Sequence, residues 1–253
     1  MDKIVLITGA SAGIGKACAI KYAAAGFNIM ITGRRLDRLY DLKNELEKDF
    51  SIKVLVLQFD VQNRMEVETQ FNSIPTAWKN IDILINNAGL AAGRDLFQDA
   101  NMDDWETMLN TNVHGLLYVS KAVIPLMITR QKGHIINMGS IAGKEVYEMG
   151  NVYCASKYAV DAISKAMRID LLKHAIKVTS INPGAVETEF ALVRFKGDAE
   201  KAAATYKGLQ PLTAADIADT VFYCTQLPPH VCINDLVITC TQQAGTYYFN
   251  KST

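Results

Sequence analysis

The run Ile4-Val-Leu-Ile-Thr8-Gly-Ala-Ser-Ala-Gly-Ile-Gly15 dictates the architecture of this chain. Its first half is a short apolar segment of the kind that forms a buried strand. Its second half spaces glycines at 9, 13 and 15 ahead of an Ala-rich helical stretch that stops before Gly26. Glycine permits a tight turn and close approach of a ligand to the backbone, while a helix starting there aims free N–H groups and the positive end of its dipole at the turn. Strand, glycine turn and helix N-terminus in that order make a seat for a pyrophosphate. The candidate residues at this seat are Gly9, Ser11, Gly13, Ile14 and Gly15. Their spacing is Gly-x-x-x-Gly-x-Gly, not the Gly-x-Gly-x-x-Gly of most dinucleotide folds.

Working outward, Val/Ile/Leu-rich runs alternate with longer helical stretches, the pattern of a parallel sheet covered on both faces. Strands are expected at 3–8, 27–32, 53–59, 81–85, 133–138, 176–181 and 235–240. The fold class is therefore α/β: a Rossmann-type doubly wound parallel sheet of about seven strands with helices on both faces. Leu36, Leu39, Leu42 and Leu46 mark one helical stripe. A long helix is expected over 103–129, kinked or ended by Pro125, and another over 151–174. Thr213-Ala-Ala-Asp216 resembles a capping box, with Asp in place of Glu, opening a helix to about Gln226. The segment 188–212 interrupts the alternation. It is expected to be a substrate lid, against the plainer alternative of a surface helix pair, within a single domain spanning 1–253.

Charge and cysteine usage exclude several functions. Lys plus Arg and Asp plus Glu each number 26, so the net charge is zero and nothing marks a nucleic-acid partner. Five cysteines, an odd number, are scattered without metal-ligand spacing, which points to reduced thiols and a cytoplasmic location; no metal is expected. No apolar run approaches the roughly 18–20 residues of a membrane span, and residues 4–7 are too short for a secretory apolar region. The expected partner is a small molecule.

Which nucleotide fits the glycine seat turns on the end of the second strand. There the chain reads Thr32-Gly33-Arg34-Arg35, with no acid at 33 to bond a ribose 2′-hydroxyl or repel a 2′-phosphate. Arg34 and Arg35 offer permanently charged forks for that phosphate, although two solvated surface arginines would look the same and Asp37 lies just beyond. The expected cofactor is NADP(H).

Tyr153-Cys-Ala-Ser-Lys157 lies in the predicted helix 151–174, so Tyr153 and Lys157 share a face. A cation beside a phenol, whose ordinary pKa is about 10, favours the phenolate and suits proton transfer to or from an alcohol. Taken alone the pair is unspecific, since a core Tyr beside a snorkelling Lys is common on amphipathic helices. Ser140, at the end of the run His134-Ile-Ile-Asn-Met-Gly-Ser140, falls upstream of it.

With the glycine loop, Asn86-Asn-Ala-Gly89 after the fourth strand, Ser140 and Tyr153-x-x-x-Lys157, the chain resembles the short-chain dehydrogenase/reductase family over its whole length. Asp60-Val61, Asn112, and Pro183-Gly184 with Thr188 match as well. The resemblance implies that Tyr153 is the acid/base and that Lys157 lowers its pKa and bonds the nicotinamide ribose. It implies that Ser140 orients the substrate oxygen and that Asn112 holds, through its backbone, a water relaying protons from Lys157. It further implies that Asp60 and Val61 meet the adenine end, that Asn87, Ala88 and Gly89 line the adenosine side, and that Pro183, Gly184, Val186 and Thr188 surround the nicotinamide amide. A homotetramer packed through the helices at 103–129 and 151–174 is implied too.

Within that family, Ile74-Pro-Thr-Ala-Trp78, Asn86-Asn-Ala-Gly-Leu-Ala-Ala-Gly93, Val193-Arg-Phe-Lys-Gly-Asp198 and 227–234 are similar to the branch that oxidises 3-hydroxy acids, including serine, with NADP. Asn182-Pro-Gly-Ala-Val-Glu-Thr188 is more compact than that branch's counterpart. A carboxylate-bearing substrate needs a cation, for which Arg94, Arg194 and Lys196 are candidates. Two alternatives stay open: a reductase of carrier-bound 3-oxoacyl groups, and a protein that binds NADP without chemistry.

Overall fold

The computed structural model describes residues 3–252. Seven strands form one wholly parallel sheet: β1 (Ile4–Thr8), β2 (Asn28–Gly33), β3 (Val54–Gln58), β4 (Ile81–Asn86), β5 (Gly133–Met138), β6 (Ile176–Pro183) and, last in the sheet, 235–238. Between β6 and that last strand, two further pieces, β7 (Val186–Glu187) and β8 (Leu212–Thr213), pair with each other alone, so 235–238 is β9. The order β3-β2-β1-β4-β5-β6-β9 reverses direction between β1 and β4. At such a switch point the connections leave to opposite faces and open a crevice at the carboxyl ends of the strands.

Alternation along β1 explains why the sheet is covered twice. Val5 and Ile7 enter one apolar layer with Cys18, Ala19 and Tyr22 of α1 (Gly13–Ala24), Leu39, Leu42 and Leu46 of α2 (Leu36–Asp49), and Ile217 and Val221 of a helix at 214–225. Ile4 and Leu6 enter the other layer with Val67 and Phe71 of α3 (Arg64–Asn72) and with Val119, Val123 and Met127 from a helix at 116–130. Every residue of β1 and β5 is buried, as expected for a parallel sheet with two covered faces.

The long helix expected over 103–129 is three pieces: α4 (Met102–Leu109), a π-helical turn at 110–115, and α5 (Leu116–Arg130). Pro125 does not end α5, which continues through it to Arg130. Both Pro125 and Lys121, whose carbonyl loses its donor, face solvent, and water can take the freed acceptor. The break falls instead at Asn112, inside the π turn. α6 (Asn151–Asp170) carries Tyr153 and Lys157 as expected.

The interruption at 188–212 contains α7 (Phe190–Arg194) and α8 (Ala199–Ala204) and is tied at its base by the parallel β7–β8 pair, Val186 opposite Leu212 and Glu187 opposite Thr213. The chain then enters α9 (Ala214–Thr225), opened by the Thr213/Asp216 capping box. Among the described residues all five cysteines are free thiols, no helix is long and apolar enough to cross a membrane, and no group of three or more His, Cys, Asp or Glu could hold a metal ion.

Candidate active site

A cavity of about 550 Å³ opens at the carboxyl ends of β1, β4, β5 and β6, on the switch point. It is of the size that holds a cofactor or a small ligand. One wall is the glycine loop. Asn87 fastens it, with Nδ2 donating to the Thr8 and Gly9 carbonyls at 2.9 and 3.3 Å, while Asn87 N and Ala88 N donate to Thr8 Oγ at 3.0 and 2.9 Å. Gly9 has φ +66°, and a Cβ there would lie 2.9 Å from Ala88 Cα. A Cβ at Gly15 would strike the Gly9 carbonyl oxygen. Gly15 is therefore a packing residue behind the loop and does not line the cavity.

The first turn of α1 is bare. Its N-cap is Ala12, which has no side-chain acceptor, whereas Asn63, Asn101 and Thr213 cap α3, α4 and α9 through their side chains. The free N–H groups of α1 thus remain available to an external anion. Ser11, Gly13 and Ile14 line the cavity there, followed by Arg34, Arg35, Asp60 and Val61 along its rim and Ala88 and Gly89 opposite. Arg34 faces Asp60 at 3.6 Å. Arg35 donates to Ser11 Oγ from Nε and Nη2 (3.2 and 2.9 Å) and to Glu189 Oε2 from Nη1 (3.0 Å).

At the other end, α6 brings Tyr153 and Lys157 into the cavity, both nearly fully buried. Lys157 Nζ donates to the Met138 carbonyl at the end of β5 (2.9 Å) and lies 5.9 Å from the Tyr153 ring centroid. Burial pulls the Lys157 ammonium down to about 8. Burial also pushes the Tyr153 phenol above its ordinary range, and Tyr147 adds to this; a hydrogen bond with Ser140 and the charge of Arg194 oppose it. The expectation that Lys157 brings this phenol toward neutral pH is therefore not met by the protein alone. Its ammonium sits over the ring and is held by a carbonyl, and desolvation disfavours both charged forms. Ser140 accepts from Ala142 N at 3.1 Å, which fixes its hydroxyl beside Pro183 O at 3.5 Å.

Asn112 does not line the cavity. Its amide grips Leu90, accepting from N and donating to O at 2.8 Å each, and donates to Ser156 Oγ at 3.0 Å. A Cβ on Gly89 would touch both Asn112 Oδ1 (3.1 Å) and Lys157 Nζ (3.7 Å), so Gly89 leaves the passage between them open. Pro183, Gly184, Val186 and Thr188 line the nearby wall.

The three candidate cations separate. Lys196 is removed from the cavity by an ion pair with Asp104 of α4 at 2.9 Å, an acid whose position sequence spacing does not reveal. Arg94 lines the cavity but is exposed. Arg194, on α7, donates to Tyr147 Oη (3.0 Å) and to the Gly93 carbonyl (3.3 Å), with its guanidinium carbon 5.7 Å from the Tyr153 ring centroid. Among the described residues it has no carboxylate partner.

Several lining residues carry no advance signal. Tyr147 and Phe190 close the space around Tyr153, and Thr246, Phe249 and Lys251 bring the C-terminal segment to the rim. That segment is tied to the insert by Ser252 N to Gly208 O (2.8 Å) and to the connection between β6 and β7 by Ala185 N to Gln243 Oε1 (2.8 Å). Such contacts join irregular chain with no hydrophobic period. Glu189, next to Thr188, is another: its carboxylate takes Arg35 on one oxygen and Arg38 Nη1 (2.8 Å) on the other. Burial alone would raise its pKa, but the hydrogen bonds from Arg38 and Arg35 hold it below the ordinary carboxylate range.

Comparison with known proteins then decides the family. The sequence profile described as short chain dehydrogenase matches residues 3–198. The chain belongs to the short-chain dehydrogenase family. It is 48% identical over 232 residues to the NADP-dependent 3-hydroxy acid dehydrogenase YdfG of Salmonella typhi, covering 91% of this chain and 92% of that one. It is 41% identical to sulfoacetaldehyde reductase 2 of Chromohalobacter salexigens, covering 98% of each. Among solved structures, the closed form of serine dehydrogenase complexed with NADP+ superimposes with a TM-score of 0.93 at 44% identity, covering 99% of this chain and 100% of that one. This short-chain dehydrogenase is thus an oxidoreductase acting on CH–OH groups.

Proposed function

We propose that the protein catalyses reversible hydride transfer between NADP(H) and the hydroxyl-bearing carbon of a small 3-hydroxy acid. The observation that carries this is the placement of Arg194, without an acid partner, over the ring of Tyr153. A carboxylate held by that guanidinium brings a hydroxyl a few bonds away to the phenol. Relatives named for 3-hydroxy acids and serine support the same substrate class.

The cradle suits the nucleotide: the bare N-terminus of α1, glycines where a Cβ would collide, and two arginines without an acid at Gly33. Gly9, Ser11, Gly13 and Ile14 would hold the pyrophosphate, Arg34 and Arg35 the 2′-phosphate, Asp60, Val61, Asn87, Ala88 and Gly89 the adenosine end, and Pro183, Gly184, Val186 and Thr188 the nicotinamide. When bound, that group supplies the hydride acceptor and, oxidised, a positively charged ring.

The residues of the chain do the rest. Ser140 donates to the substrate oxygen once its hydroxyl turns from Pro183 O. Tyr153 takes the hydroxyl proton in oxidation and returns it in reduction. The Lys157 ammonium, fixed on Met138 O, would hold the ribose and, together with the positively charged nicotinamide ring, would offset the burial that disfavours the phenolate. Asn112 acts one layer back, fixing Leu90 and, through the π turn's backbone, a water that passes protons from Lys157. The insert 188–212 acts as lid to a single domain, placing Arg194 when it closes.

Arg94 is an auxiliary cation at the mouth. We place the enzyme in the cytoplasm, its thiols reduced, as a homotetramer packed through α4, α5 and α6. A sulfonate in place of the carboxylate is the second reading, favoured by the relative that reduces sulfoacetaldehyde and by the ability of a guanidinium to hold any oxyanion.

The test is a spectrophotometric screen at the nicotinamide band with NADP and NAD. The panel is L-serine, 3-hydroxybutyrate, 2-hydroxyethanesulfonate, an uncharged alcohol and an acyl-carrier thioester. Turnover of the carboxylates with NADP is the expected result. Preference for the uncharged alcohol or the thioester would overturn the substrate class, and silence across the panel would point to a binding protein.

A further inference from the structure

The end of α7 carries a side chain where the backbone favours none. Phe195 closes the helix and Lys196 follows in the left-handed region at φ +53°, with Lys196 N donating to Val193 O (3.1 Å) and Gly197 N to Leu192 O (2.9 Å). A helix ordinarily places glycine at that position, since a Cβ there is strained. A lysine held in such a conformation needs compensation from its surroundings. Its own side chain supplies one: Nζ reaches Asp104 Oδ2 of α4 at 2.9 Å. Asp104 lies in the first turn of α4, where the Asn101 side chain caps the helix and the positive end of the dipole favours a carboxylate. Asp95 and Asp103 add their charge to that of Asp104 around Lys196. Two residues earlier, Arg194 clasps the same place: its carbonyl accepts from Gly93 N (3.0 Å) and its Nε donates to Gly93 O (3.3 Å). Gly93 is itself left-handed, and a Cβ on it would lie 3.0 Å from Asp95 Oδ2 and 3.1 Å from Asp104 Oδ2. Clasp and ion pair converge on one glycine.

We propose that Lys196 and Asp104 are positioning residues for the substrate oxyanion: their ion pair latches the closed insert to α4 and so holds Arg194 where it reaches a carboxylate in the cavity. The proposal rests on the reading of Arg194 given above and extends it to two residues that do not line the cavity. A latch is needed because α7 is only five residues long, too short to be a stable helix without tertiary contacts, and the β7–β8 tie at the base of the insert lies on its far side. Lys196 also offsets the carboxylates that approach the glycine gripped by Arg194, which leaves the guanidinium for an external anion. The Lys196 side chain is 62% exposed, so the pair is individually weak and shifts the population of the closed insert without locking it. That suits a lid that must open again for product release.

The experiment is a double-mutant cycle of Lys196→Gly, Asp104→Asn and their combination. It is read by steady-state kinetics at saturating NADP, with the hydroxy acid turned over best in the screen above and with an uncharged alcohol, and by thermal unfolding. Glycine removes the ammonium and relieves the left-handed backbone together, so the Tm of Lys196→Gly should not fall. KM for the hydroxy acid should nevertheless rise about two- to five-fold in each single variant, the worth of one exposed pair, and no further in the double. The kcat and the kinetics of the uncharged alcohol should stay as in wild type. An unmoved KM, an equal rise for the uncharged alcohol, or single effects that add in the double make the pair an ordinary surface bridge and overturn the proposal, while Arg194 keeps its role. If Arg194→Ala, run in parallel, does not raise the hydroxy-acid KM, the oxyanion reading of Arg194 falls and the latch falls with it.

Discussion

The two walls of the cavity are built by different means. The nucleotide wall is mostly backbone: glycines at 9 and 15 pressed against Ala88 and each other, a bare helix end, and Asn87 stitched to the strand carbonyls. The opposite wall, to which we assign the substrate, is mostly side chain, carried on 188–212 and the C-terminal segment, with the insert tied at its base by the two-residue β7–β8 pair. A backbone wall admits one geometry because any Cβ spoils it. A side-chain wall can change its residues without disturbing the core. Tyr153 and Lys157 sit on the seam, both on α6, so the chemistry we assign to them does not depend on which substrate wall faces it.

Substitutions at the seam should give the largest effects. Tyr153→Phe keeps the ring packed on Phe190 and removes the proton, and kcat should fall by about 10²–10⁴-fold, the usual worth of a proton-transfer group. Turnover within a factor of two of wild type would remove Tyr153 from the mechanism.

Lys157 gives a pH signature of the seam. Its folded-state pKa of about 8 lies below the ordinary 10.5, so between those values the unfolded chain binds more protons than the folded one. Wild type should accordingly gain stability relative to Lys157→Met as pH rises from 8 to 10.5, by a total of order 3 kcal/mol, and show no such trend below 8. Denaturant unfolding of both proteins across this window is the measurement, and a difference that stays flat contradicts a buried ammonium.

Smallest, and most direct for the two walls, is the pair Gly15→Ala and Arg194→Ala. Overpacking at Gly15 should cost about 1–3 kcal/mol of stability and weaken NADP. Loss of Arg194 should leave stability within about 0.5 kcal/mol while raising KM for hydroxy acids roughly ten- to hundredfold and sparing an uncharged alcohol. If Arg194→Ala unfolds the protein, or Gly15→Ala is silent, the division between the walls is wrong.

The same division decides how much was legible in the sequence. The seven sheet strands lie where apolar runs alternate with helices, and the glycine loop, Arg35, Ser140, Tyr153 and Lys157 all reach the cavity, because strand, turn and helix impose local patterns. β7 and β8 are two residues each, too short for any period to register. Lys196 carries a suitable charge, yet Asp104, far away along the chain, takes it out of reach. The π turn at Asn112 and the unbroken α5 at Pro125 reflect tertiary surroundings and solvent exposure, which local propensity does not record.

Because Val186 and Leu212 stand opposite each other, the insert leaves and rejoins the scaffold at adjacent points. Its length and composition can therefore change with little cost to the sheet, since lengthening a surface loop adds only slowly to its closure entropy. The segment is a natural graft: exchanging 188–211 between relatives that prefer different oxyanions should carry substrate choice with it, on an unaltered nucleotide engine.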